Sequence, residues 1–217
     1  IRPKPPADSL ERPTLAFREF GVEYVEVRTL DLNMMDPVGV SQSQLRFMEA
    51  LLIYCLLLDS PPIDAVEQAE LDERDLLVAR EGRRPGLKLP RGGRSVSLRD
   101  WAVEVLEAVR EIATILDVDD EGYSGAADAQ LAAVTEPELT PSAQILTHMR
   151  EAGLTFQEFT LESARAHDQY FTSVPPSPEK QEWLRGLTAE SLREQERLEA
   201  NPDRPFAEYL RDYFERV

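Results

Sequence analysis

The segment GVEYVEVRTLDLN, residues 21–33, restricts the fold of this chain more than any other part of it. Residues 22–30 alternate in polarity and are rich in β-branched side chains, which reads as a β-strand. No other stretch of the 217 residues gives so convincing a strand. A single strand is not stable by itself, because its backbone N–H and C=O groups need ladder partners. The segment must therefore pair with strands that this chain supplies poorly, and most of such a sheet is expected to lie elsewhere. The first residue is Ile1 and not methionine, which also suggests a fragment or processed product with an incomplete site.

The rest of the chain reads as helix and loop. Residues 1–13 are rich in proline and charge and form an extended lead-in, and residues 15–20 suit a short helix delivering the chain to Gly21. DLNMMDPVGVS is a loop with a proline–glycine turn signal. Ser41 or Ser43 can cap a helix running to about residue 58, where DSPP stops it. An acidic helix follows over residues 64–79, then a basic, glycine-rich stretch over 80–95. Residues 98–116 carry apolar side chains at helical spacing (Trp101, Val105, Ala108, Val109, Ile112, Leu116) and predict a long helix. Further helices are expected over 126–134, 142–152, 156–171, 179–199 and 206–216. The helix over 179–199 should be a charged, solvated face packed through Trp183, Leu184, Leu187, Leu192 and Leu198. The fold class is α+β: a mostly helical chain with one or a few strands.

Charge and cysteine content exclude several function classes. Twenty-four basic residues against 41 acidic ones give a net charge of −17. General binding to nucleic acid or to an anionic membrane needs concentrated positive potential, so neither is expected, and a cytoplasmic location fits. Cys55 is the single cysteine, which rules out an internal disulfide and a cysteine-based zinc site. Within LLIYCLLL it reads as a buried, inert thiol. The longest apolar run, residues 50–58, has nine residues, against the roughly twenty that a bilayer span needs. It predicts a buried helix.

Three constellations could carry chemistry. On the strand, Tyr24, Glu26 and Arg28 share one face, with same-face neighbours about 6.5–7 Å apart. That spacing is too long for an ion pair locked by the backbone, and it suits gripping two parts of one ligand. A carboxylate is a hard oxygen ligand for Mg²⁺, and a guanidinium fork binds phosphoryl oxygens. The alternative is a pair of solvated charges facing complementary charges on adjacent strands. The second constellation is EGRRPGL, residues 81–87, whose glycine N–H groups and guanidinium groups could receive an anion. It lacks the order of a Walker A loop, and a solvated turn is the alternative. The third, DVDDEGYSGAAD, has Asp117, Asp119, Glu121 and Gly122 at calcium-loop positions but Asp128 where a long bidentate Glu belongs. An acidic turn between helices fits it better. His148 and His167 are not spaced as a metal pair.

IRPK, EYVEVRTLDLNMMDPVGV, LRFMEALLIYCLLLDSP, EGRRPGL, LTPSAQIL and PFAEYL follow one another in that order. Together they resemble the carboxy-terminal part of bacterial glutamate–cysteine ligase, also called γ-glutamylcysteine synthetase, across essentially the whole chain. The resemblance implies an ATP-grasp-like or glutamine-synthetase-like site on a curved antiparallel sheet surrounded by helices. Residues 1–40 would supply the strand-bearing part of that sheet, residues 41–217 would be a helical carboxy-terminal region, and the amino-terminal half would be absent. It implies that ATP phosphorylates the γ-carboxylate of L-glutamate and that the amino group of L-cysteine attacks the acyl phosphate, the first step of glutathione synthesis. Glu26 would be the magnesium ligand, with manganese as the alternative ion, and Arg28 the catalytic residue on the transferring ATP phosphoryl group. Other metal ligands, most of the substrate pocket and a cysteine-binding tyrosine upstream of IRPK would belong to the missing half. NMMDP and PRGGRSVSL depart from the family pattern. The rival reading is a non-catalytic acidic helical interaction module or remnant.

Overall fold

The computed structural model describes residues 2–6, 12–28, 30–119, 122–200 and 205–215. They form two compact units, one from residues 1–32 and 168–217, the other from 33–167. The architecture is α+β and predominantly helical, as the sequence predicts.

The first unit opens with a two-stranded antiparallel ribbon, β1 (Arg2–Lys4) on β2 (Tyr24–Glu26), with α1 (Pro13–Phe20) between them in sequence. Register places Arg2 opposite Glu26 and Lys4 opposite Tyr24. The expected strand over 22–30 is thus shortened to three residues. Its only ladder partner among the described residues is also three residues long, and pairing ends where the partner ends. The partner itself lies in the segment read as an extended lead-in. Gly21 turns the chain out of α1 with a positive φ of 74°, a conformation that L side chains rarely adopt.

The second unit is built on three helices. In α2 (Gln42–Leu57), Ser41 is the N-cap: its hydroxyl accepts from the Gln44 N–H at 3.2 Å, and Gln44 Oε1 accepts from the Ser41 N–H at 2.8 Å. This reciprocal pair fixes the start of the helix. Next comes α3 (Ala65–Glu81), capped by Asp64. The sequence reading assigned no strand to the basic stretch after it, yet β3 (Lys88–Arg91) and β4 (Arg94–Ser97) pair as a hairpin. Gly92 and Gly93 form its two-residue turn with φ of 56° and 75°. Both positive values suit a turn that only glycine or asparagine enters easily.

The long helix α4 spans Leu98–Leu116, the range expected from its periodicity. It packs with α2 and with α5 (Tyr123–Thr135) around Ala50, Val109, Ala113 and Ala127, all essentially inaccessible to solvent. Alanines at three of these positions let the helix backbones approach closely, while Phe47, Leu51 and Tyr54 close the seam from α2. A 3₁₀ turn (Pro137–Leu139) and α6 (Pro141–Ala152) follow. Next, α7 (Phe156–Ser173) runs in sequence across the unit boundary. His148 makes an edge contact with Phe159 at 5.4 Å between ring centroids and joins no metal cluster.

Two expectations about burial are corrected. Cys55 is exposed, and Leu56, beside it, is 82% exposed. The face of α2 that meets α4 and α5 is set by Phe47, Ala50, Leu51 and Tyr54 at three- and four-residue spacing. Residues 55–58 point away from it, so apolar character did not ensure burial. In α8 (Pro178–Ala200), the stripe of Trp183, Leu184, Leu187, Leu192 and Leu198 stays between 42% and 56% exposed, and no residue of the helix is buried. The last helix, α9 (Phe206–Glu215), belongs to the first unit and carries Tyr213, over which the Arg12 guanidinium sits at 5.9 Å. Among the described residues no helix is long and apolar enough to cross a membrane.

Candidate active-site cluster on the β-ribbon

Pairing of β1 with β2 sets Lys4 on the Glu26 carboxylate, and Arg28, two residues beyond it, reaches back to the same group. Directly opposed residues point to the same face, so Arg2, Lys4, Tyr24 and Glu26 share a surface of the ribbon. Lys4 Nζ lies 3.1 Å from Glu26 Oε1. Arg28 Nε donates to Glu26 Oε2 at 2.6 Å, and its Nη2 lies 2.5 Å from the same oxygen. The spacing argument had excluded only a Glu26–Arg28 ion pair locked by the backbone. The strand ends at Glu26, which frees residue 28 from the pleat, and the long guanidinium arm spans the remaining gap.

The electrostatics follow from this geometry. The hydrogen bond from Lys4, and then that from Arg28, hold the Glu26 carboxyl below its ordinary value against partial desolvation. Glu26 therefore stays ionised at neutral pH. A carboxylate has about four lone-pair directions, so two cationic donors leave acceptor capacity for a metal ion. In donor chemistry Glu26 fits as one magnesium ligand, and only as one. Among the described residues no group of three or more His, Cys, Asp or Glu is arranged to hold a metal. Magnesium commonly takes one or two carboxylates together with phosphate oxygens.

The resemblance set Arg2 and Lys4 near the pocket and gave neither a role; the structure places Lys4 on Glu26. The signal for this was the alternation of Arg2 and Lys4 in IRPK, which matches the period of a strand too short to recognise alone.

The other two constellations resolve differently. In EGRRPGL, Arg84 pairs with Glu81, while Arg83 forms no salt bridge among the described residues. Gly82 is required there, because a Cβ would come within 2.6 Å of the Val78 carbonyl oxygen. In the acidic turn, Asp117 Oδ1 accepts from the Gly122 N–H at 2.8 Å and Oδ2 from the Ser124 N–H at 3.0 Å. Bonds from Ser124 first, and then from Gly122, lower the Asp117 carboxyl to about 2. Its oxygens cap the start of α5, which accounts for this carboxylate without calcium. Glu121, another residue of that loop reading, lies outside the described residues.

Comparison with known proteins gives a consistent answer. The sequence profile of the family described as glutamate-cysteine ligase matches residues 1–78, which include Lys4, Glu26 and Arg28. The glutamate–cysteine ligase of Pseudomonas paraeruginosa is 41% identical over 215 residues, covering 98% of this chain and 41% of that enzyme. Its counterpart in Pseudomonas putida is 43% identical over 203 residues, covering 93% of this chain and 39% of that enzyme. The chain is homologous to part of bacterial glutamate–cysteine ligase. It spans about two-fifths of the length of the curated relatives it matches. The fold agrees: the crystal structure of glutamate–cysteine ligase from Francisella tularensis in complex with AMP superposes with a TM-score of 0.89 at 30% identity. That match covers 99% of this chain and 42% of that one.

Proposed function

We propose that this chain is the carboxy-terminal portion of an ATP-dependent glutamate–cysteine ligase. The supporting observation is the Lys4–Glu26–Arg28 cluster, lying inside the residues that match the ligase profile. In this reading residues 1–40 contribute one wall of an active-site sheet, and residues 41–217 form the helical region around it. The ribbon has only two strands among the described residues, and its outer edges are where further strands of the complete enzyme would pair. The enzyme works in the cytoplasm on L-glutamate, L-cysteine and ATP.

The γ-carboxylate oxygen of glutamate attacks the γ-phosphorus of ATP, the bond to ADP breaks, and γ-glutamyl phosphate forms. The cysteine amino group then attacks the acyl carbon, loses a proton, and expels phosphate to leave γ-glutamylcysteine. Arg28 exchanges its bond to Glu26 for the transferring phosphoryl group, where its planar fork can bind two oxygens and offset developing charge. Glu26 supplies a fixed carboxylate to magnesium, and Lys4 orients that carboxylate and keeps it ionised. Magnesium, when bound, supplies charge neutralisation on the phosphates.

The test uses the complete enzyme, with ATP consumption measured with glutamate and cysteine together and with each omitted. Turnover should require both amino acids and yield γ-glutamylcysteine. Arg28→Lys, which keeps the charge and loses the fork, should lower kcat by roughly 10²–10³-fold. Glu26→Gln should raise the magnesium concentration needed for half-maximal rate. Wild-type kinetics from both variants would remove these two residues from the site.

A further inference from the structure

A well-formed cavity lies away from Glu26 and Arg28. It lies wholly within the second unit, with a volume of about 540 Å³. Ligand pockets commonly have volumes of about 300–1,000 Å³. Its floor is apolar, formed by Phe47, Leu87, Leu98, Ala102 and Leu106, with Ala133 and Val134 of α5 opposite. At its mouth stand Arg83, Arg84 and Arg99, and no acidic residue lines it. All of its lining except Phe47 falls outside residues 1–78.

Two features separate this cavity from a packing gap. It opens to solvent past exposed arginines and its floor is apolar, so a ligand with an apolar body would take that floor out of water. The charge at the mouth is inverted relative to the chain. In a protein of net charge −17, with 41 acidic residues, Arg83 and Arg99 form no salt bridge among the described residues. Only Arg84 is paired, with Glu81, which does not line the cavity. The turn bearing Arg83 and Arg84 is held rigidly, by the Arg84 N–H to the Glu81 carbonyl at 2.7 Å and the Gly82 N–H to the Val78 carbonyl at 2.8 Å. Ser97 caps the first turn of α4 beside Arg99, and the Leu98 N–H donates to the Leu87 carbonyl at 2.9 Å, which ties the start of α4 to the end of the same turn.

We propose that this cavity is a binding site for a small organic anion, one with a carboxylate or phosphate head and an apolar body. The head lies between Arg83 and Arg99, and the body rests on the floor of Leu98, Ala102 and Leu106. The site is separate in sequence and in structural unit from the cluster assigned to phosphoryl transfer, so the two readings stand or fall independently.

The experiment titrates the 217-residue chain with naphthyl phosphate, naphthoate and naphthol by calorimetry. The two anions should bind saturably and one-to-one, the tighter of them identifying the preferred head, and naphthol should bind roughly ten-fold more weakly. The double variant Arg83→Gln with Arg99→Gln should lose a similar factor for the anions only. Arg94→Gln, at an exposed arginine outside the cavity, should leave affinity unchanged. In the wild-type chain, amide NMR shifts on adding the tighter anion should concentrate at Gly82, Gly86, Ala102 and Ala133, which keeps the test decisive if the double variant fails to fold. Absence of saturable binding, equal affinity for naphthol, or shifts confined to other residues would overturn the proposal.

Discussion

Val109 offers the sharpest test of how the second unit is held together. Its side chain is fully buried, and it is the largest described side chain in that state. It sits among Ala50, Ala113 and Ala127, with Phe47, Leu51 and Tyr54 packed around them. Val109→Ala removes two methyl groups, worth roughly 1.6 kcal/mol at about 0.8 kcal/mol per buried carbon. A residual void of about 50 Å³ adds roughly 1 kcal/mol, giving an expected loss of about 2–3 kcal/mol. Leu56→Ala deletes a larger side chain from the same helical unit. Leu56 is 82% exposed, so the change should stay within about 0.5 kcal/mol. Urea unfolding reads both, followed by Trp101 fluorescence in a Trp183→Phe background so that the signal comes from α4. With a slope of about 1–3 kcal/mol per molar urea, Val109→Ala should lower the midpoint by roughly 1 M. Equal losses from the two variants would refute the packing of α2, α4 and α5 described above.

Cys55 should react stoichiometrically with a disulfide reagent such as DTNB in the native chain, without denaturant, because its thiol is exposed; a requirement for urea would show that it is covered. Removing Lys4 as Lys4→Gln should raise the Glu26 carboxyl towards its ordinary value, since the Lys4 hydrogen bond is the largest cause of its depression. A carbon-detected NMR titration of Glu26 reads this, and an unchanged midpoint would show that Lys4 does not bear on the carboxylate. The Asp117 carboxyl is lowered from 3.8 to about 2, so its contribution to stability is complete above the ordinary value and disappears as pH falls through the window down to about 2. The stability gap between wild type and Asp117→Asn should therefore shrink between pH 5 and pH 2, and a gap that persists at pH 2 would contradict the capping role.

Helices were the most legible part of the fold. A nineteen-residue amphipathic period marked Leu98–Leu116 to the residue, and Ser41 and Asp64 carried their caps in the sequence. Strands were not legible where they were short. β1 and the β3–β4 hairpin are three and four residues long, too brief for alternation to register, although Gly92–Gly93 was a usable turn signal. The candidate site was half visible. Glu26 and Arg28 stood out by residue type and by resemblance, whereas Lys4 gained a role only when β1 closed against β2.

The sequence by itself determined the helical periods, the acidic balance, the absence of an internal disulfide, and the likeness to glutamate–cysteine ligase. These depend on local spacing and residue identity, which survive without a partner segment. Tertiary structure decided which apolar faces are buried, leaving residues 55–58 and the α8 stripe in solvent while a cluster of small alanines closed the core. It also decided that Glu26 is gripped from both sides and that Arg83 and Arg99, without a salt bridge among the described residues, line an apolar cavity. The Lys4–Glu26 pair and the cavity depend on contacts between segments distant in the chain, whose geometry no local pattern encodes.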